Sequence, residues 1–164
     1  MSKLHWIAFS LVACVATTAH AVEVRKRVDN IKGTQDKVWE KVGAFCAIKD
    51  WHPSVVDCAE TKEGDITRRL LTLKNGGKVK ERLVARGTQS YSYVIEESPF
   101  PVKNYSATFQ VGPDSDDDDE SEVVWTARFD ANGKSEPEAA VIMRGVIDAG
   151  VKNIKQQFKD AARK

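Results

Sequence analysis

His52 is the residue best suited by its type to transfer protons. It is the only histidine after position 20, and histidine is the one side chain that normally titrates near neutral pH. General acid–base catalysis would also need a group that orients the ring, and the carboxylates of Asp50 and Glu81 are the candidates. The alternative, which we favour, is that Trp51-His52-Pro53 only shapes a loop over the mouth of a cavity.

Arg68 and Glu81 form a second group that could contact a ligand. They lie on two predicted strands that flank a hairpin turn. Period-two alternation places Arg68 on the same side of the sheet as Leu70, and Glu81 on the same side as Leu83. If this side faces inward, the two charges form an ion pair that orients the polar end of a ligand. If the other leucines of the first strand face inward instead, both charges lie in solvent, and the sequence supports the two alternatives equally.

Cys46 and Cys58 are the two cysteines that follow the N-terminal segment. In an oxidising compartment such a pair predicts a disulfide that closes a short loop. The alternative is a pair of buried thiols. A metal site is less well supported, because two cysteines need further ligands and His52 neighbours neither of them in sequence.

An acidic cluster separates two of the predicted strands, and its members are Asp114, Asp116, Asp117, Asp118, Asp119 and Glu120. Alternating aspartates resemble a calcium loop, but the glycine and the terminal glutamate are missing at the required spacing. We therefore expect a solvated hairpin loop, with weak calcium binding outside the cell as the alternative. The sequence also lacks a nucleophile with an adjacent base and a glycine-rich phosphate loop, so we expect no metal and no cofactor.

Residues 1–21 have the pattern of a removable secretion signal. A short positive end is followed by the largely apolar run Leu4–Ala16, and Ala19-His20-Ala21 supplies small residues at the two positions that a signal peptidase reads. The apolar run is too short to span a bilayer. We predict a periplasmic or secreted protein with a single domain over residues 22–164. The alternatives are a lipid anchor on Cys14 and a cytosolic protein that keeps an apolar first helix.

The charge of the predicted mature chain is close to zero. Of the 25 basic residues only Lys3 lies in the signal, which leaves 24 basic against 24 acidic residues. A dedicated nucleic-acid binder normally carries a basic excess. We therefore expect no nucleic-acid partner, and no later segment has the length and hydrophobicity of an integral membrane span.

The periodicity of the mature chain predicts an α+β fold. Val22–Ile31 alternates like a strand. The fold class has two short helices after this strand, and the first, of about three turns, follows Thr34 and includes Phe45 and Cys46. Six further strands form an antiparallel meander, and turn residues such as Asn75-Gly76-Gly77 separate them. The strands are expected at Val55–Thr61, Ile66–Leu73, Lys78–Arg86, Ser90–Glu97, around Tyr105–Val111 and around Val123–Phe129. An amphipathic helix, capped by Ser135 and Glu138, is expected over Glu136–Ala162.

These elements bury their apolar faces most simply when a curved sheet wraps around the long helix. A strongly curved sheet and a straight helix cannot touch everywhere, so a pocket between them is expected. Large aromatic residues should face it, and four of them carry a polar atom, as is typical of ligand pockets. They are Tyr91, Tyr93, Tyr105, Phe109, Trp125 and Phe129. The alternative is that these rings simply fill the core.

An ordered set of short motifs is similar to the polyketide cyclase/dehydrase-like branch of the START/Bet v 1 helix-grip superfamily. The set consists of Trp51-His52-Pro53, Arg68 with Leu70, Gly76-Gly77, Glu81-Arg82-Leu83, Tyr91-Ser92-Tyr93, Pro101-Val102 with Asn104-Tyr105, and Trp125. This resemblance implies a seven-stranded sheet that grips a C-terminal helix around a cavity for hydrophobic molecules. Among exported relatives, the chain resembles periplasmic accessory proteins of methanol oxidation.

Together these features predict an exported protein that binds a small hydrophobic or amphipathic ligand. The expected ligand-binding residues are Trp51, His52, Arg68, Glu81, Tyr91, Tyr93, Tyr105, Phe109, Trp125 and Met143. One alternative is a cyclase-, dehydrase- or hydrolase-type enzyme that uses His52 as acid or base. The other is an accessory module that docks on a periplasmic oxidoreductase, which would be its protein partner.

Overall fold

Seven antiparallel strands form one sheet in the computed structural model, which describes residues 21–163. Almost all of the predicted signal, including Cys14, lies outside the described residues. The strands are β1 (Val22–Lys32), β2 (Val55–Glu63), β3 (Ile66–Leu73), β4 (Lys78–Arg86), β5 (Ser90–Glu97), β6 (Val102–Pro113) and β7 (Glu120–Ala131). Their order across the sheet is β1-β7-β6-β5-β4-β3-β2, so β1 and β2 form the two edges.

A long C-terminal helix, α3 (Glu136–Ala161), packs on one face of this sheet against β1 and β7. Its buried stripe includes Met143, Ile147, Gly150, Val151 and Ile154, which recur at the spacing expected of one helix face. The predicted helix start is confirmed, because the Glu138 carboxylate accepts a hydrogen bond of 3.0 Å from the Ser135 backbone N–H. The prediction of a curved sheet wrapped around this helix is also confirmed.

Two of the irregularities in the strand ladders coincide with asparagines of positive φ. The pairing of β1 with β7 shifts between Val28 and Ile31, where Asn30 has a φ of 55°. The pairing of β6 with β7 shifts between Lys103 and Ser106, where Asn104 has a φ of 52°. Bulges of this kind bend a strand and increase its local twist, so they favour the curvature that encloses α3.

The predicted three-turn helix after β1 is wrong in its extent. The helix α1 covers Gln35–Val42 only, a single 3₁₀ turn follows at Phe45–Ala47, and the one-turn helix α2 covers Ile48–Trp51. The backbone carbonyls of Gly43 and Phe45 accept hydrogen bonds from the side chains of Arg86 and Arg69. Carbonyls engaged by strand side chains in this way favour a break in the helix, and the prediction of two short helices in the fold class is confirmed.

A disulfide links Cys46, in the 3₁₀ turn, to Cys58 on β2. The two cysteines are 12 positions apart, so the bridge closes a short loop that contains α2, as the sequence predicted. Beyond α2 the chain turns at His52, whose backbone is extended, because a residue before proline is disfavoured in the helical region.

The acidic segment forms the connection between β6 and β7. Asp114 is buried, and its carboxylate accepts hydrogen bonds from the backbone N–H groups of Asn30 and Asp116. Glu120 pairs with Lys32 on β1. Within residues 21–163, no group of three or more His, Cys, Asp or Glu side chains is placed to hold a metal ion. Over the same range, no helix has the length and apolar character needed to cross a membrane.

Candidate functional site: a cavity between the sheet and the C-terminal helix

A cavity of about 270 Å³ lies between the inner face of the sheet and α3. Most of its wall is apolar. The apolar side chains are Ile48, Val55, Leu71, Leu73, Val79, Ile95, Phe100, Met143 and Val146. The polar and aromatic side chains are His52, Ser54, Lys74, Asn75, Glu81, Tyr93, Tyr105 and Trp125. Ser54, Lys74 and Asn75 are exposed, so they mark the mouth of the cavity.

A buried ion pair closes one side of this cavity. Arg69 and Glu81 lie directly opposite each other on β3 and β4, and Arg69 Nε donates a hydrogen bond of 2.5 Å to Glu81 Oε2. The Arg69 side chain is fully buried, and the Glu81 side chain is 5% exposed. No other hydrogen bond to Glu81 is found among residues 21–163, so its second carboxylate oxygen is available on the cavity wall.

The predicted pair of Arg68 with Glu81 is therefore wrong in its arginine. Arg68 lies on the outer face of the sheet, where its guanidinium contacts Glu96 at 2.9 Å and Glu63 at 3.2 Å. The inner side of β3 is the side of Leu71 and Leu73, which are 3% and 8% exposed, whereas Leu70 is 41% exposed. Turning Leu71 and Leu73 inward buries more apolar area than turning Leu70 inward. Because Arg69 lies on the same side of the strand as Leu71 and Leu73, it is placed inside as well.

Phe45 and Tyr93 surround the charged group of Arg69. The Arg69 guanidinium lies 4.0 Å from the centroid of the Phe45 ring and 5.1 Å from that of Tyr93, and it donates to the Phe45 carbonyl. Burial lowers the pKa of Arg69 and is the largest single cause, but the charge of Glu81, the nearby Tyr91 and Tyr93 and the hydrogen bond to Glu81 together outweigh it, and the net pKa is raised. Arg69 therefore stays positive. Burial raises the pKa of Glu81 above its ordinary value, and Arg69 opposes that rise.

Three aromatic side chains on the cavity wall share a line of hydrogen bonds. Trp125 Nε1 donates to the Tyr93 hydroxyl at 3.1 Å, and the Tyr93 and Tyr105 hydroxyl oxygens lie 3.5 Å apart. Burial raises the pKa values of both tyrosines, so both keep their protons. One of the two O–H groups can donate to the other tyrosine, which leaves the second O–H free for another acceptor.

His52 lies on the cavity wall, but both of its ring nitrogens already have partners. Nε2 lies 3.0 Å from the Val146 carbonyl on α3, and Nδ1 accepts a hydrogen bond of 3.2 Å from the Ser54 backbone N–H. The ring is therefore the neutral tautomer that carries its proton on Nε2. Burial lowers the pKa of His52. Neither Asp50 nor Glu81, the predicted orienting carboxylates, bonds to the ring, and Asp50 is exposed.

The sequence-predicted site residues divide into three groups. His52, Glu81, Tyr93, Tyr105, Trp125 and Met143 line the cavity. Trp51, Tyr91 and Phe109 do not reach it. These three are buried, and the Phe109 ring stacks against the rings of Trp51 and Tyr91 at centroid distances of 5.2 and 5.4 Å. Arg68 lies outside, and Phe129 is core packing against Tyr105. The aromatic residues therefore form part of the core and part of the cavity wall.

Arg69 is the main residue that the sequence analysis missed. A charged residue beside a run of leucines gives no hydrophobic signal that it faces inward. Its position two residues before Leu71 was the available signal, because residues i and i+2 of a strand share a face.

One protein family matches the sequence over nearly all of the described chain. The model for polyketide cyclase / dehydrase and lipid transport proteins matches residues 21–159. No curated protein gives a significant match to the sequence.

Solved structures with the same architecture span nearly the whole described chain. The protein XoxI from Bacillus cereus is 30% identical with a TM-score of 0.79, and the match covers 85% of this chain and 97% of that one. The Zhui aromatase/cyclase from Streptomyces sp. R1128 is 16% identical with a TM-score of 0.65, covering 85% and 94%. A START superfamily protein from Mycobacterium smegmatis is 12% identical with a TM-score of 0.69, covering 85% and 98%. The last two likenesses concern the fold alone. The family match extends along the sequence, and the chain belongs to the polyketide cyclase/dehydrase and lipid transport family.

Proposed function

We propose that this protein is an exported binding protein that holds one small hydrophobic or amphipathic molecule between the sheet and α3. The observation that carries the proposal is the apolar cavity of about 270 Å³ with Glu81 on its wall. Small-molecule sites are typically concave, mostly apolar and furnished with a few polar groups that fix orientation. This cavity has those properties.

The volume of the cavity limits the size of the ligand. An apolar cavity of about 150 Å³ in another protein stays dry and binds benzene, and the cavity here is just under twice that volume. It also lies near the lower end of the range of about 300–1,000 Å³ for ligand pockets. We infer a molecule of about two or three rings or a medium-length acyl chain.

The polar groups on the wall favour an uncharged polar end on that molecule. Glu81 and Arg69 neutralise each other, so the buried part of the wall carries no net charge that would attract an ion, and the charge of Lys74 lies at the exposed mouth. Glu81 offers a second carboxylate oxygen as an acceptor, and Tyr93 and Tyr105 together offer one free O–H donor. A hydroxyl or carbonyl group can use these partners, whereas a ligand carboxylate beside Glu81 would meet a like charge.

Two observations support export. Residues 1–21 have the pattern of a secretion signal, and a disulfide joins Cys46 to Cys58, as is common in oxidising compartments. We expect protein recovered from the periplasm or medium to begin at Val22 by intact mass. A mass that shows a lipid on Cys14 would contradict this prediction.

A fluorescence titration with the neutral dye N-phenyl-1-naphthylamine tests the binding proposal. We expect saturable binding at one site, lost in Val79→Trp because this side chain is buried on the cavity wall. Val84→Trp is the matched control, because Val84 lies on the same strand and is 55% exposed. Equal binding by both variants would contradict the assigned site. Native mass spectrometry of protein from its natural host should then give the mass of the bound molecule.

The cyclase- or hydrolase-type alternative depends on His52, which does line the cavity. Its two ring nitrogens are engaged by Val146 and Ser54, so it has no free nitrogen for a substrate, and the geometry favours a structural role. The enzyme hypothesis predicts that His52→Ala abolishes turnover and leaves ligand affinity nearly unchanged. A variant that loses affinity and stability together would contradict it.

The accessory role, docking on a periplasmic oxidoreductase, stays a prediction from the sequence resemblance. It predicts that the protein co-purifies with a redox enzyme from its natural host. Val79→Trp should leave that association unchanged, because a surface contact does not need the cavity. Loss of the association in this variant would mean that any partner depends on the cavity or its ligand.

A further inference from the structure

The disulfide closes a loop that supplies part of the cavity wall. Four lining residues lie between its two cysteines: Ile48, His52, Ser54 and Val55. Cys58 itself lies opposite Leu71 in the β2–β3 ladder, and Leu71 also lines the cavity. The covalent bond therefore fixes both ends of a wall segment rather than a remote part of the surface.

The middle of this wall segment has its own anchors on α3. Gln157 Nε2 donates to the Asp50 carbonyl and Asn153 Nδ2 donates to the Trp51 carbonyl, each at 2.9 Å. The His52 ring adds the contact of 3.0 Å with the Val146 carbonyl. These three contacts do not involve the cysteines, so they remain when the disulfide is broken.

The two ends of the segment are held less firmly. β2 is an edge strand that pairs only with β3, and its first pairs are irregular between Val55 and Asp57. The 3₁₀ turn and the four-residue α2 are too short to be stable alone. Apart from packing, the start of the segment is held by the hydrogen bond from Arg69 to the Phe45 carbonyl, which neighbours Cys46, and by that from the Ala47 N–H to the Ala44 carbonyl.

We propose that reduction of the Cys46–Cys58 disulfide loosens this wall and speeds release of the ligand, so that the protein retains its cargo according to the redox state of its surroundings. The proposal rests on the proposed binding function. In the step itself a dithiol donates two electrons and two protons to the disulfide. The S–S bond breaks, Cys46 and Cys58 become thiols, and the dithiol becomes a disulfide.

This coupling follows from which contacts survive reduction. The middle of the segment stays attached to α3, and the six strands other than β2 are untouched, so the domain remains folded. Ile48 and Val55, which lie two and three positions from the cysteines, lose a covalent restraint on their positions in the cavity wall, and Val55 keeps its pairing with Leu73. Both cysteines are half-buried, so a dithiol has partial access to the sulfur atoms.

The test compares the oxidised protein with protein reduced by dithiothreitol. Release of N-phenyl-1-naphthylamine is followed by stopped-flow fluorescence, and amide hydrogen exchange is measured in the same two states. We expect release to become at least fivefold faster and exchange of residues 46–58 to rise at least tenfold, with β6 and β7 unchanged. The double variant Cys46→Ala/Cys58→Ala should resemble the reduced protein and should not respond to dithiothreitol.

The possible failures are distinguishable. If the oxidised protein binds the dye and reduction changes neither release nor exchange of residues 46–58, the redox proposal is overturned and the binding function stands. If the oxidised protein does not bind the dye, the binding function fails, and with it the proposed control of ligand release. Loss of exchange protection throughout β6 and β7 on reduction would also overturn the proposal, because it would show global unfolding instead of a loosened wall.

Discussion

Two glycines on α3 provide a matched test of how closely the helix packs over the cavity wall. A Cβ atom at Gly150 would lie 2.7 Å from His52 Cδ2 and 3.0 Å from the Cζ3 atoms of Trp125 and Trp51. A Cβ atom at Gly145 would have no neighbour within 4 Å. Both positions lie inside the same helix, so Gly145→Ala and Gly150→Ala differ mainly in this contact.

The expected magnitudes follow from two opposing effects. Alanine is better than glycine in a helix interior by about 1 kcal/mol, and this gain applies to both variants. Overpacking a well-filled core costs about 1–3 kcal/mol, and this cost applies only at Gly150, where rings rather than flexible chain ends receive the new methyl group. Gly145→Ala should therefore raise the free energy of unfolding by about 1 kcal/mol. The free energy of unfolding of Gly150→Ala should be lower than that of Gly145→Ala by about 1–3 kcal/mol.

Urea unfolding of the three proteins, with linear extrapolation to water, measures these differences. Gly150→Ala should also weaken dye binding, because α3 must move away from His52 and Trp125, whereas Gly145→Ala should leave the dissociation constant unchanged. Equal stabilisation by the two substitutions would refute the close packing of α3 on the cavity wall.

Three further predictions concern stability. Because the folded pKa of His52 is lowered, the neutral ring contributes fully to the free energy of unfolding above about pH 6.5, and this contribution is lost at lower pH by up to about 1.4 kcal/mol per pH unit. Urea unfolding at several pH values should show a weaker pH dependence of stability for His52→Gln, and an identical dependence would contradict the assignment. Arg69→Met should lower the free energy of unfolding by about 3–5 kcal/mol because it leaves Glu81 without its buried partner, and the double variant Arg69→Met/Glu81→Leu should recover most of this loss. A single variant as stable as the original protein would refute a buried ion pair. Reduction of the disulfide should lower the free energy of unfolding by about 3 kcal/mol, and an unchanged urea midpoint would contradict the bridge.

The order and type of the main elements were predictable because their signals are local. Alternation identified the strands, and Asn75-Gly76-Gly77 fixed one hairpin, in which Gly76 has a φ of 83°. Glu138 identified the start of α3. The break after Val42 was not predictable in the same way, because the side chains that engage the Gly43 and Phe45 carbonyls come from β4 and β3.

The cavity wall was only partly predictable, since it depends on which side of each strand faces inward. On β4 the sequence left both sides open, and in the structure Glu81 lines the cavity. On β3 leucines occur on both sides, and a shift of one residue exchanges every side chain between the two faces. Because of this one-residue difference, Arg69 and not Arg68 is the arginine on the inner face. Periodicity also could not decide which inward aromatic residues fill the core, as Phe109 does, and which border empty space, as Tyr93 does.

The most direct test of the binding account is a crystal structure of the protein purified from its natural host. The account predicts electron density for one small molecule beside Met143, with its polar end within hydrogen-bond distance of the Glu81 carboxylate. A structure in which the rings of Tyr93, Tyr105 and Trp125 close this space completely would contradict it.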